Sequence, residues 1–102
     1  MKQTIAACVT CALVALMVVA AQAEVKGEQI FKQKCAMCHL VKGKGGSIGP
    51  ELTKVAARMK ESDLTAKLEN PKKSNPSTSM PSFKSLPKAD MDALLGYLKT
   101  LK

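Results

Sequence analysis

The chain has no tryptophan, one tyrosine, two phenylalanines and one histidine in 102 residues. Without aromatic side chains interleaved among its basic ones, it offers no stacking platform for a nucleic acid. A single histidine excludes any site in which two histidines of this chain hold one metal. It also leaves no pair of imidazoles for acid–base catalysis. So few large aromatics mean a thin core, and below about 80 residues such a core alone supplies only ~3–5 kcal/mol, so that a tightly bound group has to make up the deficit. Period-two alternation is missing throughout, which argues against a sheet protein. There is also no internal repeat and no composition break that would mark a second domain.

What is present begins with a leader. Met1 to Ala23 carries one positive charge at Lys2, an almost unbroken apolar run from Ile5 to Ala21, and then Ala21-Gln22-Ala23, a small-x-small cleavage site. The expected division is therefore a secretory signal peptide over 1–23 and one domain over 24–102. Cleavage after Ala23 removes Cys8 and Cys11 and leaves no thiol outside the next motif. The run is about long enough to span a bilayer, so an uncleaved membrane anchor is the competing reading. A lipid-modified Cys8 is a poorer fit, because the hydrophobic segment follows that cysteine instead of preceding it. Cys8 and Cys11 have no histidine beside them, since Ala12 follows the second thiol. Export through such a leader points to the periplasm of a bacterium, where closely spaced thiols would risk oxidation to a disulfide.

Cys35-Ala36-Met37-Cys38-His39 is the centre of the sequence. Two thiols three positions apart followed by an imidazole form the signature of covalent haem attachment. On a helical turn, positions i and i+3 face the same way, so Cys35 and Cys38 can each bond one vinyl group on one porphyrin edge while His39 reaches the iron. A structural zinc site usually takes two separated ligand pairs, and no second histidine exists to complete one. A thioredoxin-like dithiol calls for a βαβ setting, and nothing strand-like flanks these residues.

The sixth iron position follows by elimination among Met37, Met59, Met80 and Met91. Met37 sits between the attachment cysteines and cannot reach the opposite haem face. Met59 and Met91 fall on helical apolar stripes, where packing explains them. Met80 ends a polar stretch, Lys72 to Ser79, whose run Ser74 to Ser79 reads as irregular backbone, so no secondary structure explains it. Pro81 holds its backbone extended. His39 and Met80 are thus the expected metal ligands.

The remaining segments read as short helices. Val25, Ile30 and Phe31 mark one that leads into the haem motif, with Gly27 implying a close packing contact. Lys42 to Ser47 reads as a glycine-rich loop. Leu52, Val55, Ala56 and Met59 recur at helical spacing, and Ser62-Asp63 is positioned to cap a helix that carries Leu64 and Leu68 and stops before Pro71. Met91, Leu94, Leu95, Leu98 and Leu101 form the stripe of a last helix that Pro87 can open, with Asp90 and Asp92 near its positive end and Lys99 and Lys102 near its negative end.

Taken together, Gly27 to His39, Gly49-Pro50-x-Leu52 with Arg58 beyond it, Met80-Pro81, and Leu94-x-x-Tyr97-Leu98-Lys99 resemble the landmarks of the class I c-type cytochromes, in the family's order. The resemblance covers Glu24 to Lys102 and is nearest to the small monohaem bacterial members. It implies an all-α fold of three to five short helices wrapped around one haem c held through Cys35 and Cys38. It further implies that Pro50 accepts a hydrogen bond from the His39 ring through its carbonyl, that Arg58 pairs with a propionate, and that Gly27 and Phe31 pack against Leu94 and Tyr97. The segment from Arg58 to Met80 is short, and the tryptophan that commonly contacts a propionate is absent.

An iron held by His39 and Met80 has no open position for a substrate. The expectation is therefore an electron carrier and not an enzyme; a gas-binding or sensory haem protein is the alternative if Met80 does not bind iron. A net charge of +8, falling to +7 when Lys2 leaves with the leader, suits acidic docking faces on redox proteins such as other cytochromes, oxidases or reductases. Lys42, Lys44, Lys72, Lys73 and Lys84 are expected to ring the haem edge, and the protein is expected to be a monomer.

Overall fold

Helix α1 occupies residues 24–34 and ends where the haem motif begins; the computed structural model describes Gln22 and residues 24–102. The expected signal peptide over Met1–Ala23, including Cys8 and Cys11, lies outside the described residues apart from Gln22. Gly27, Ile30, Phe31 and Cys35 are buried along one face of α1 and its continuation, a three- and four-residue spacing that only a helix gives. Cys35 and Ala36 both donate their N–H groups to the Phe31 carbonyl, at 2.8 and 3.0 Å. Cys38 and His39 donate to the Cys35 carbonyl at 3.1 and 3.0 Å, so the motif winds on as tight turns.

The stretch read as a loop is in fact a minimal hairpin. Strands β1 (Leu40–Val41) and β2 (Lys44–Gly45) pair antiparallel, Leu40 opposite Gly45 and Val41 opposite Lys44. Lys42 and Gly43 at the tip have φ of 51° and 79°, the two positive values of a type I′ turn. The hairpin returns the chain past the haem motif, where Gly46 donates its N–H to the Ala36 carbonyl and Gly49 to the Cys38 carbonyl.

Three short helices and one long one complete the fold: α2 (Val55–Arg58), α3 (Glu61–Glu69), α4 (Pro71–Ser74) and α5 (Lys88–Lys99). Two expectations need correction. The cap of α3 is set by Lys60, whose N–H is accepted by Asp63 Oδ2 at 3.4 Å, while Ser62 lies inside the first turn. The irregular run expected over Ser74–Ser79 starts one residue later, because Pro71 at the first helical position, where its missing N–H is not needed, opens a single helical turn, Pro71–Ser74.

Helix α5 is the spine. Leu94 is fully buried, and Ala93, Leu95 and Leu98, with Leu101 just beyond, complete its apolar face. Its crossing with α1 is close. A side chain on Gly27 would collide with the Ala93 carbonyl and come within 2.8 Å of Tyr97 Cβ, and the Phe31 and Tyr97 rings lie 5.4 Å apart at 54°. The close contact is thus with Ala93 and Tyr97, one residue from the expected Leu94. Ion pairs Lys26–Asp90 (2.8 Å) and Lys99–Glu61 (2.9 Å) tie α5 to α1 and α3, and the Ala56 N–H donates to the Leu101 carbonyl at 2.7 Å. No helix among the described residues is long and apolar enough to cross a membrane.

Candidate haem site

The helices leave between them a cavity of about 380 Å³, and all six residues singled out from the sequence line it: Cys35, Cys38, His39, Pro50, Arg58 and Met80. Its walls are apolar, with Leu52, Val55, Leu64, Leu68, Phe83 and Leu98 among them. A cavity of this size walled mainly by hydrocarbon, with a few convergent polar and sulfur atoms, has the make-up of a cofactor site.

His39 is held in one orientation. Its Nδ1–H donates to the Pro50 carbonyl at 2.8 Å, which assigns the proton to Nδ1 and leaves the Nε2 lone pair for a metal. The ring also lies flat against Gly49. A Cβ at that position would stand 2.5 Å from Cε1 and 2.9 Å from Nδ1, so only glycine leaves the imidazole its place. The Gly49-Pro50 pair therefore does two jobs, one through a carbonyl and one through a missing side chain.

The two thiols lie at the cavity edge, joined through the turn that the Cys38 N–H closes on the Cys35 carbonyl. Burial pushes the Cys35 thiol up to about 11, outweighing the opposing charge of Lys34. A redox-active dithiol needs the reverse, a thiol lowered toward neutrality by positive surroundings. A neutral, buried sulfur is instead suited to a thioether, which carries no charge into the apolar wall. Among the described residues no three histidine, cysteine or acidic side chains gather in a metal-binding group, so a zinc site of the usual kind is not built.

Met80 is half-buried on the stretch between α4 and α5 and packs on the core. Two hydrogen bonds fasten that stretch to the end of α3. Phe83 donates its N–H to the Leu68 carbonyl at 2.7 Å, and Ser82 donates its hydroxyl to the Glu69 carbonyl at 2.5 Å. Arg58 reaches the cavity too, and its Nη2 donates to the Glu51 carbonyl at 2.8 Å.

Of the other methionines, Met37 is 83% exposed, while Met91 is half-buried against the core as expected. Met59 differs: it packs on the core and also lines the cavity. Lys67, Asn75, Thr78 and Ser79 line it as well, which the sequence did not single out. Nothing in the sequence distinguishes them from other polar residues near a loop. Only the return of the Met80 stretch toward α3 places them at the site.

The model of the cytochrome c family matches residues 24–102. A cytochrome c of Gibberella zeae is 36% identical over 96 residues, covering 72% of this chain and 90% of that protein. A cytochrome c-553-like protein of Synechocystis is 37% identical over 76 residues, 74% of this chain and 67% of that one. Cytochrome c oxidase subunit 2 of Alkalihalophilus pseudofirmus is 31% identical over 86 residues, 76% of this chain but only 25% of that much longer protein.

Proposed function

The chain belongs to the cytochrome c family and carries one haem c attached through Cys35 and Cys38, and we propose that it works in the periplasm as a carrier of single electrons, its iron held by His39 and Met80. Bound haem supplies an iron that cycles between ferric and ferrous by one electron. The observation that carries the reading is the meeting of an Nδ1-bonded His39, Met80 and both cysteines at one apolar cavity.

The roles of the residues follow from their chemistry. Pro50 keeps Nε2 of His39 free and makes the imidazole a stronger donor by accepting its other proton. Met80 contributes a soft thioether, which favours the ferrous state and raises the potential relative to a pair of histidines. The same two side chains, His39 and Met80, would hold the iron in both oxidation states, so neither would have to be exchanged. Arg58, a cation at the cavity, offsets the charge of a propionate while its Nη2 stays on the Glu51 carbonyl.

Export is supported by the apolar leader with its Ala21-Gln22-Ala23 site. Acidic redox partners are supported by the lysines. Lys26, Lys32, Lys88 and Lys99 are neutralised in ion pairs on α1 and α5. Lys42, Lys44, Lys72, Lys73 and Lys84 are exposed and form no ion pair among the described residues, which leaves their field free to act on a partner.

Carbon monoxide tests the closed sixth position. Added to the reduced, haem-loaded protein at neutral pH, it should leave the visible spectrum unchanged, because Met80 occupies the site. A carbonyl spectrum forming at low gas pressure would favour a gas-binding or sensory role instead.

A further inference from the structure

The segment that carries Met80 is a strap that borders the haem cavity and a second cavity as well. Thr78, Ser79, Met80 and Pro81 line the haem cavity, and the same four residues line a second cavity of about 400 Å³, completed by Asn70, Pro71, Lys72 and Ser82. On the side of the second cavity the strap has little protein packed behind it. Its hold on that side depends on hydrogen bonds.

Within the strap those bonds are short-range. Thr78 donates its N–H to the Asn75 carbonyl at 3.1 Å, and Met80 donates to Thr78 Oγ1 at 3.2 Å. They shape the strap without attaching it to anything. The bonds that reach another element from its far end are the two to α3. Leu68 and Glu69 are in the last turn of that helix, so their carbonyls have no partner inside it. The Phe83 N–H takes the first and the Ser82 hydroxyl takes the second. The Ser82 oxygen in turn accepts the Lys84 N–H at 3.3 Å, which fixes its rotamer. Of the two anchors, only the one from Ser82 depends on a side chain.

We propose that Ser82 is a positioning residue for the sixth iron position: its hydroxyl, tied to the α3 terminus two residues from Met80, sets how readily Met80 leaves the iron. This rests on Met80 being the ligand. Removing the anchor lets the strap drift into the outer cavity, so the fraction of molecules with Met80 detached grows, and an outside ligand that needs that state binds more tightly in proportion.

The test is imidazole binding to the ferric, haem-loaded protein, followed in the visible spectrum. Ser82→Ala should tighten apparent binding roughly two- to tenfold, the range that the loss of one ordinary hydrogen bond supplies. Ser82→Thr keeps the hydroxyl and should stay close to the parent. In a Met80→Ala background the position is already open, so adding Ser82→Ala should change nothing. The proposal is overturned if Ser82→Ala binds imidazole like the parent, if Ser82→Thr behaves like Ser82→Ala, or if Ser82→Ala tightens binding equally in the Met80→Ala background. A parent that binds imidazole as tightly as Met80→Ala would instead show that Met80 is not the ligand, and would remove the premise along with the proposal.

Discussion

Gly49 decides where the imidazole of His39 can lie, and it does so by having no side chain. A methyl group there would stand 2.5 Å from Cε1. The ring cannot swing clear while its Nδ1–H is bonded to the Pro50 carbonyl at 2.8 Å. Gly49→Ala should therefore cost about 1–3 kcal/mol, the usual range for overpacking a filled site. It should appear as a lower denaturant midpoint of the haem-loaded protein, and an unchanged midpoint would mean that the ring relaxes freely. At this scale the sequence was legible where chemistry restricts the choice. A lone histidine after Cys-x-x-Cys and a methionine stranded in polar sequence both point to one cofactor, and the structure brings both to one cavity. Met59 was only half legible, since a helical stripe reads as core and gives no hint that the same side chain also borders a cavity.

Among the elements, the α1–α5 crossing has the least room. Alanine at Gly27 gains about 1 kcal/mol of helix propensity, but its Cβ meets the backbone carbonyl of Ala93, which cannot turn aside as a side chain could. The clash outweighs the gain, because overpacking costs about 1–3 kcal/mol and rigid backbone places this site toward the upper end. Gly27→Ala should lower the thermal midpoint and part the Phe31 and Tyr97 rings; a raised midpoint would contradict the close crossing. Helix α5 was plain in the sequence, because five apolar residues at helical spacing admit one buried face. The β1–β2 hairpin was not, because two-residue strands are too short to show alternation. Its turn, moreover, puts Lys42 at a positive φ where asparagine or glycine is the usual sign. Helix α4 was hidden for a similar reason: one turn of Pro-Lys-Lys-Ser has no apolar period to read.

For the whole molecule, the distribution of charge matters more than its sum. The lysines already neutralised in pairs sit on α1 and α5, and the proposed steering set lies on the hairpin and on the segments flanking Met80. Exposed charges act over about 8–10 Å at ordinary ionic strength. The rate of electron exchange with an acidic redox protein should therefore fall steeply as salt is added, and a rate that stays flat would remove the steering role. That surface was legible only as a net charge; which lysines stay free depends on folded neighbours such as Asp90 and Glu61. The central claim, an iron closed by His39 and Met80, is tested most directly by the visible spectrum of the ferric protein beside that of Met80→Ala. The parent should be low-spin with a weak sulfur-to-iron band, and the variant should lose that band and become high-spin. A parent that is high-spin with Met80 intact, or a band that survives in Met80→Ala, would contradict it.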